Sequence, residues 1–158
     1  MNSRQFPESQ CAKRQAFLSQ YNHITMLTEE ILNCIKRVLD EDIGAGDATT
    51  DSIVPADATM RGQIIAKQDG VIAGLDVARA AYQLLDSDVD FAAQVEDGSR
   101  VTSGLVLALV SGRTRCLLTA ERTALNFLGR ISGIATLTRQ FVDAVAGTNA
   151  VILDTRKT

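Results

Sequence analysis

The sequence contains no long hydrophobic run. None of its 158 residues belongs to an uninterrupted apolar stretch that approaches the ~20 residues needed to cross a bilayer. No apolar segment follows the first charged residues, so a secretory signal peptide is not expected. Positive charge is not concentrated anywhere in the sequence. The 16 Lys and Arg residues are dispersed, and the formal net charge is -3. A broad basic face for nucleic acid is therefore excluded, and any bound anion should be small and bound locally.

Histidine and cysteine are also few. The only histidine, His23, lies outside any triad or ligand spacing. Cys11, Cys34 and Cys116 are odd in number, far apart and without a CxxC pair. We interpret them as reduced thiols of a cytoplasmic protein, rather than as disulfide or metal ligands.

The longest periodic run extends from Leu117 to Gly147. Its apolar residues recur at offsets of three, four and seven, which predicts amphipathic helix, with Arg122 off the centre of the apolar stripe. Ser132 and Gly133 suggest a joint, so we predict two helices, the second ending at Gly147 as a C′ glycine.

A short apolar segment follows, from Ala150 to Asp154, and it predicts a strand buried on both faces. Arg156 and Lys157 come directly after it. Cations at the carboxyl end of such a strand indicate an anion site, because α/β sheets and barrels bind ligands there. The alternative is a solvated terminal pair.

The preceding residues predict an α/β sandwich. Helices are predicted after Thr28 as N-cap and over Leu75 to Leu85, and a turn-rich loop over Asp40 to Asp51, where a metal site is the less favoured alternative. The remaining predictions are strands, namely two strands paired through an Asp69-Gly70 hairpin, strand alternation at Val89 to Val95, and a strand over Leu105 to Val110.

Residues Val95 to Gly112 resemble the half-barrel repeat of biotinyl and lipoyl carrier domains. That resemblance would make Lys67 the modified lysine. Its flanks, IIAKQDG, differ from the carrier motif, and we favour a lysine that protects a sheet edge.

A second resemblance covers nearly everything from Leu27 onward. The motifs EDIGAGDATTD, IIAKQDGVIAG, LTAERTALNFLGRISGIAT and LDTRKT occur in the order and at the distances of the quinolinate phosphoribosyltransferase family. The resemblance implies a flexible extension over 1–26, an α/β sandwich with its linking helices over 27–147, and the first strand of a truncated α/β barrel over 148–158.

The family transfers phosphoribose from 5-phosphoribosyl 1-diphosphate to quinolinate with Mg²⁺, giving nicotinate mononucleotide, CO₂ and diphosphate in NAD biosynthesis. It works as a homodimer, with each site between one subunit's barrel and the neighbour's sandwich. The resemblance implies that Arg122 reaches the neighbouring site and that Thr155, Arg156 and Lys157 bind the quinolinate carboxylates. It implies no Mg²⁺ ligands within these residues.

Because the family's pattern continues beyond Thr158, we expect these residues to lack turnover on their own. Three alternatives stay open. One is a non-catalytic interaction module that caps full-length subunits through the Arg122 helix. A second is a carrier-like domain on the Lys67 hairpin. The third is a related transferase that acts on a different heterocyclic acid.

Overall fold

The computed structural model describes residues 27–44 and 48–154. In these residues the helices are α1 (Glu29–Ile43), α2 (Ala48–Ile53), α3 (Leu75–Leu85) and α4 (Thr114–Ala144). The strands are β1 (Thr59–Ile65), β2 (Gly70–Val71), β3 (Asp90–Ala93), β4 (Arg100–Val101) and β5 (Val106–Arg113). None of the helices in the described ranges combines the length and the apolar character that a membrane crossing requires.

Two antiparallel sheets form one layer of the fold. The larger sheet has the order β1-β5-β3, and the smaller one pairs β2 with β4. Val110 of the central strand β5 lies opposite Gly62 of β1 on one side and Phe91 of β3 on the other. Alternate residues of β1 turn inward, with Ile64 buried and its neighbours Gln63 and Ile65 exposed, as the period of two predicts.

The helices cover one face of these sheets and enclose a single core. α4 packs along α3 and also contacts α1, β2 and β5. Apolar side chains from both layers fill the space between them, among them Ile35, Leu39, Ile64, Leu75, Tyr82, Phe91, Leu107, Val110, Leu117 and Leu128. This arrangement confirms the predicted α/β sandwich.

The first helix begins where it was predicted and ends later. The Thr28 side chain accepts a hydrogen bond from the Ile31 N–H at 3.4 Å, as an N-cap does. α1 continues to Ile43, and Ala48–Ile53 form a second helix, so the prediction of a loop over Asp40 to Asp51 was largely wrong. The Asp and Thr residues that signal turns also occur at helix ends, because their side chains satisfy backbone groups in both settings.

The prediction of a hairpin at Asp69-Gly70 was also wrong. β1 pairs with β5 and β2 pairs with β4, so the chain passes from one sheet to the other at this point. The Asp69 carboxylate accepts a hydrogen bond from the Ser103 N–H at 2.9 Å. The carbonyl of Lys67 accepts another from the Ser103 hydroxyl at 3.1 Å. The turn residues therefore join two distant loops and do not close a local hairpin.

Helix α3 matches its prediction at both ends, and a distant carboxylate caps its start. Gly74 precedes the helix with φ of 96° and has no side chain to offer. Asp97 supplies the cap, since its carboxylate accepts from the N–H groups of Gly74 at 2.7 Å and Leu75 at 3.1 Å. Two of the N–H groups at the helix start are thereby satisfied.

Helix α4 is one continuous helix of 31 residues, about 46 Å long, not the two helices predicted. Gly133 lies inside it without a break. At the position of the predicted joint, α4 forms hydrogen bonds with the segment that precedes α3. The hydroxyls of Ser132 and Thr136 accept hydrogen bonds from the N–H groups of Ala73 at 3.0 Å and Val71 at 2.9 Å. These contacts hold the helix through the glycine, and it ends at Ala144, before Gly147.

The strand predicted from Ala150 to Asp154 is not formed. These residues follow α4 as an extended segment without strand pairing, and the side chains of Val151 and Leu153 are exposed. A strand needs a neighbour to accept its backbone hydrogen bonds, and the described residues place none beside this segment. Residues 155–158, which carry the predicted anion site, and the extension over 1–26 lie outside the described residues.

Candidate substrate-binding site

Arg122 lies on the solvent-facing side of the first half of α4. The same turns of the helix bury Ala120, Thr123 and Ala124, so the helical period directs Arg122 away from the core. Its side chain is 75% exposed. A guanidinium in this position is available to a ligand or to a second subunit.

The guanidinium of Arg122 forms a hydrogen-bonded ion pair with one carboxylate. Its Nη1 donates to Oδ1 of Asp42 at 3.1 Å, across 80 residues of sequence. Asp42 belongs to the last turn of α1, and its side chain is only 26% exposed. The contact joins the end of one helix to the middle of another.

A groove of about 750 Å³ opens beside Arg122, between the sheets and α4. Leu118 and Leu125 line it and lie four residues before and three residues after Arg122, so all three share one strip of the helix surface. Other apolar lining residues come from the sheets and from α4, namely Ile64, Ala66, Val71, Val101, Leu107, Val110 and Leu128. The polar groups in its wall include Glu121 and Tyr82.

Two protonatable side chains near this groove are unsuited to acid–base work at neutral pH. Burial, with the nearby charge of Glu121, raises the pKa of Tyr82 to about 12. Burial, with the charge of Asp86, raises the pKa of the Cys116 thiol to about 11. A thiol that stays protonated is a poor nucleophile, so Cys116 is a packing residue.

A second arginine near the core has a structural partner. Arg113 Nε donates to Oδ2 of the buried Asp86 at 2.6 Å, and the Asp88 N–H donates to the same carboxylate at 3.1 Å. The hydrogen bond from Arg113 holds the pKa of Asp86 below its usual range. This pair links the end of β5 to the end of α3, and it leaves Arg122 as the better candidate for a ligand.

The predicted site is only partly visible in the described residues. Arg122 is placed, whereas Thr155, Arg156 and Lys157 lie outside the described residues, and no distance joins the two groups. Asp42 was missed. Its only sequence signal is an acidic helix end that lacks any basic residue, because its contact with Arg122 depends on the fold.

Metal-ligating side chains form no large cluster in the described residues. Within 27–44 and 48–154, no cluster of three or more His, Cys, Asp or Glu side chains is arranged to hold a metal ion. Asp and Glu are the side chains that Mg²⁺ prefers, usually one or two of them with water and phosphate. No described residue is assigned to Mg²⁺, and no chemical step is routed through it.

Known proteins are similar to this domain in both fold and sequence. A family model described as quinolinate phosphoribosyl transferase, N-terminal domain, matches residues 47–132, more than half of the chain. The crystal structure of NadC from Streptococcus pyogenes superposes with a TM-score of 0.80 at 39% identity, over 85% of this chain and 48% of that one. The fold and these matches define the N-terminal α/β sandwich domain of a phosphoribosyltransferase. The chain belongs to the quinolinate phosphoribosyltransferase family.

Two curated relatives show how far the match extends. The nicotinate-nucleotide pyrophosphorylase (carboxylating) of Mycobacterium leprae is 48% identical over an alignment of 132 residues, and the match covers 78% of this chain and 45% of that protein. Quinolinate phosphoribosyltransferase (decarboxylating) 1b of Nicotiana tabacum is 37% identical, over 83% of this chain and 37% of its own length. The chain spans less than half the length of these relatives.

Proposed function

We propose that this chain supplies the N-terminal domain for the transfer of phosphoribose from 5-phosphoribosyl 1-diphosphate to quinolinate. The products are nicotinate mononucleotide, CO₂ and diphosphate, as in NAD biosynthesis. The family match supports this proposal, and the observation that carries it for this chain is the exposed Arg122 guanidinium on the helix that lines an open groove.

The charge of the substrate suits the residues proposed for it. Quinolinate carries two neighbouring carboxylates, and a guanidinium binds one of them through two parallel hydrogen bonds. A lysine adds a compact second charge. We assign Arg122, Arg156 and Lys157 to these carboxylates, with Thr155 as a hydrogen-bonding neighbour. Cations around the ring also stabilise the negative charge that remains as CO₂ leaves.

We further propose that the active assembly is a homodimer in which Arg122 serves the neighbouring subunit. The support is geometric. Arg122 projects away from its own core, so its exposed edge is free to enter a site built by another subunit. Mg²⁺ is proposed for the whole enzyme only, bound by residues other than those described. The proposed compartment is the cytoplasm, supported by the unpaired thiols of Cys34 and Cys116.

Mixed dimers test this function with the chain as it stands. The chain and the Mycobacterium leprae relative carry different affinity tags, and the arginine of the relative that aligns with Arg122 is replaced by alanine. Tandem purification isolates the heterodimer, in which only this chain offers that arginine. We expect nicotinate mononucleotide formation to return in the heterodimer and to be lost again with Arg122→Ala.

Two results would refute the proposal. Failure of the two chains to co-purify would contradict the shared dimer interface. A pure heterodimer as inactive as the alanine-substituted relative would contradict the role of Arg122.

A non-catalytic interaction module is the second candidate, and one observation favours it. The second half of α4 exposes Ile134, Leu137 and Phe141, an apolar strip suited to contact with another protein. This candidate predicts that the mixed dimer forms without any recovery of turnover. The same heterodimer assay therefore separates the two candidates.

A further inference from the structure

We propose that Asp42 is a positioning residue for Arg122, and this inference rests on the function proposed above. The carboxylate fixes one nitrogen of the guanidinium and leaves the opposite edge directed at a substrate carboxylate. Asp42 does not contact the substrate itself. Its effect is to hold Arg122 in the conformation that binds.

The atoms of the contact determine which edge stays open. A guanidinium carries five N–H donors in a planar fork. Among the described contacts of Arg122, only Nη1 is engaged, by Oδ1 of Asp42 at 3.1 Å. The described contacts do not engage Nε and Nη2, and these two groups form one of the guanidinium edges that can bind a carboxylate through two hydrogen bonds. Asp42 thus anchors the side chain without occupying that edge.

The exposures of the two partners show which of them is fixed. The Asp42 side chain is 26% exposed, whereas that of Arg122 is 75% exposed. The carboxylate is thus the better-packed member of the pair, and the guanidinium extends from it into solvent. An unrestrained arginine samples many rotamers, and restricting them before the ligand arrives lowers the entropy lost on binding.

The location of Asp42 is unfavourable for its own helix. Asp40, Glu41 and Asp42 occupy the last turn of α1, which has no basic residue. Carboxylates are disfavoured there, because the carbonyl end of a helix is already negative. Residues that break a local rule of this kind tend to occur at functional sites. The negative helix end and its carboxylates create a potential that retains the Arg122 cation.

Competition with the substrate is the opposite reading of the same contact. A carboxylate that blocked Arg122 would be expected to bind it through two parallel hydrogen bonds, yet the described contact of Asp42 reaches the single nitrogen Nη1 and leaves the Nε–Nη2 edge open. The geometry therefore favours positioning over competition. The two readings predict changes of opposite sign in the affinity for quinolinate.

The test uses the heterodimer described above, with Asp42→Asn in this chain. Asparagine keeps the shape and removes the charge that holds Arg122. We expect the KM for quinolinate to rise about 2- to 10-fold, the range that ordering one long side chain produces, with kcat unchanged. Asp42→Glu should recover most of the affinity. Asp40→Asn is the matched control, since it removes an acid from the same helix turn and should leave KM unchanged.

Further readouts separate positioning from general stability. Both asparagine variants remove a disfavoured carboxylate from the helix end, so neither should lower the denaturation midpoint. In an Arg122→Ala background, where turnover is lost, Asp42→Asn should have no additional effect on the Kd for quinolinate, measured by calorimetry on the heterodimer.

Three outcomes would overturn the inference. An unchanged KM with Asp42→Asn, beside a loss of turnover with Arg122→Ala, removes the role of Asp42 and leaves the proposed function intact. A lowered KM shows competition. An Arg122→Ala heterodimer that retains full turnover removes the proposed function, and the inference with it.

Discussion

The two halves of α4 have the same apolar spacing but different surroundings. In the first half Leu117, Ala124 and Leu128 are buried against the sandwich. In the second half Leu137 and Phe141 recur at the same helical spacing, and their side chains are 55% and 56% exposed. The period of apolar residues therefore identifies a helix and its apolar face. Whether that face is buried depends on which other elements of the fold pack against it.

Polar contacts fix the second half where apolar burial does not. The hydroxyls of Ser132 and Thr136 bind the backbone of the chain before α3. Further along, Asp143 pairs with Arg100 of β4, and the hydrogen bond from Arg100 lowers the pKa of this carboxyl group. The second half is thus held in place with its apolar strip exposed. This difference between the halves predicts different effects of substitutions on stability.

Leucine truncations should give the largest contrast. Leu128→Ala removes a side chain that is 4% exposed, and it should lower the free energy of unfolding by about 2–5 kcal/mol. Leu137→Ala should change it by less than about 0.5 kcal/mol, as exposed positions usually do. Urea denaturation of the two variants measures both values. Equal losses would mean that the second half of α4 is buried in solution.

Gly74→Ala should weaken the junction between the halves. Gly74 has φ of 96°, and an added Cβ would lie 2.9 Å from Cδ1 of Ile131 on α4. Backbone strain of this kind costs about 1–3 kcal/mol. We expect a lower denaturation midpoint with an unchanged slope. Gly98→Ala is the matched control, because Gly98 has φ of 89° with nothing within 4 Å, and a loss equal to that of Gly74→Ala would show that the contact with α4 contributes nothing.

Thr123→Val should stabilise the buried half. The Thr123 hydroxyl is buried and finds no hydrogen-bond partner among the described residues. Leaving such a group unsatisfied costs about 1–3 kcal/mol, and valine keeps the branched shape. The unfolding free energy should rise by about 1 kcal/mol, measured by thermal or urea denaturation. A loss of stability would show that the hydroxyl has a partner in solution.

Gly133→Ala should give the smallest effect and tests the continuity of α4. Nothing lies within 4 Å of an added Cβ at this position. Alanine favours helix over glycine by up to about 1 kcal/mol, so the variant should be slightly more stable. Circular dichroism during thermal unfolding follows the change. If the chain bends here as two helices, alanine should bring a loss instead.

The sequence predicted those elements whose signals are local. α3 was predicted at both ends, because its apolar period runs from Leu75 to Leu85. Strand pairing was not predictable from the Asp69-Gly70 signal, because β1 selects β5 as its neighbour through packing against distant residues. The continuity of α4 depends in the same way on hydroxyl contacts 59 and 65 residues away in sequence.

The residues of the candidate site also differ in whether a local sequence signal could predict them. Helical periodicity placed Arg122 off the centre of the apolar stripe, and its side chain is exposed in the structure. Asp42 was not predicted, because its contact spans 80 residues and depends on how α1 meets α4. Thr155, Arg156 and Lys157 remain predictions.

Chemical labelling of Arg122 tests most directly whether this residue binds substrate across a subunit interface. Phenylglyoxal modifies exposed arginines, and mass spectrometry of the peptide containing Arg122 gives the rate with and without quinolinate. We predict that quinolinate slows the labelling of Arg122 in the heterodimer and has no effect on the isolated chain. Equal rates with and without quinolinate in an active heterodimer would contradict the account.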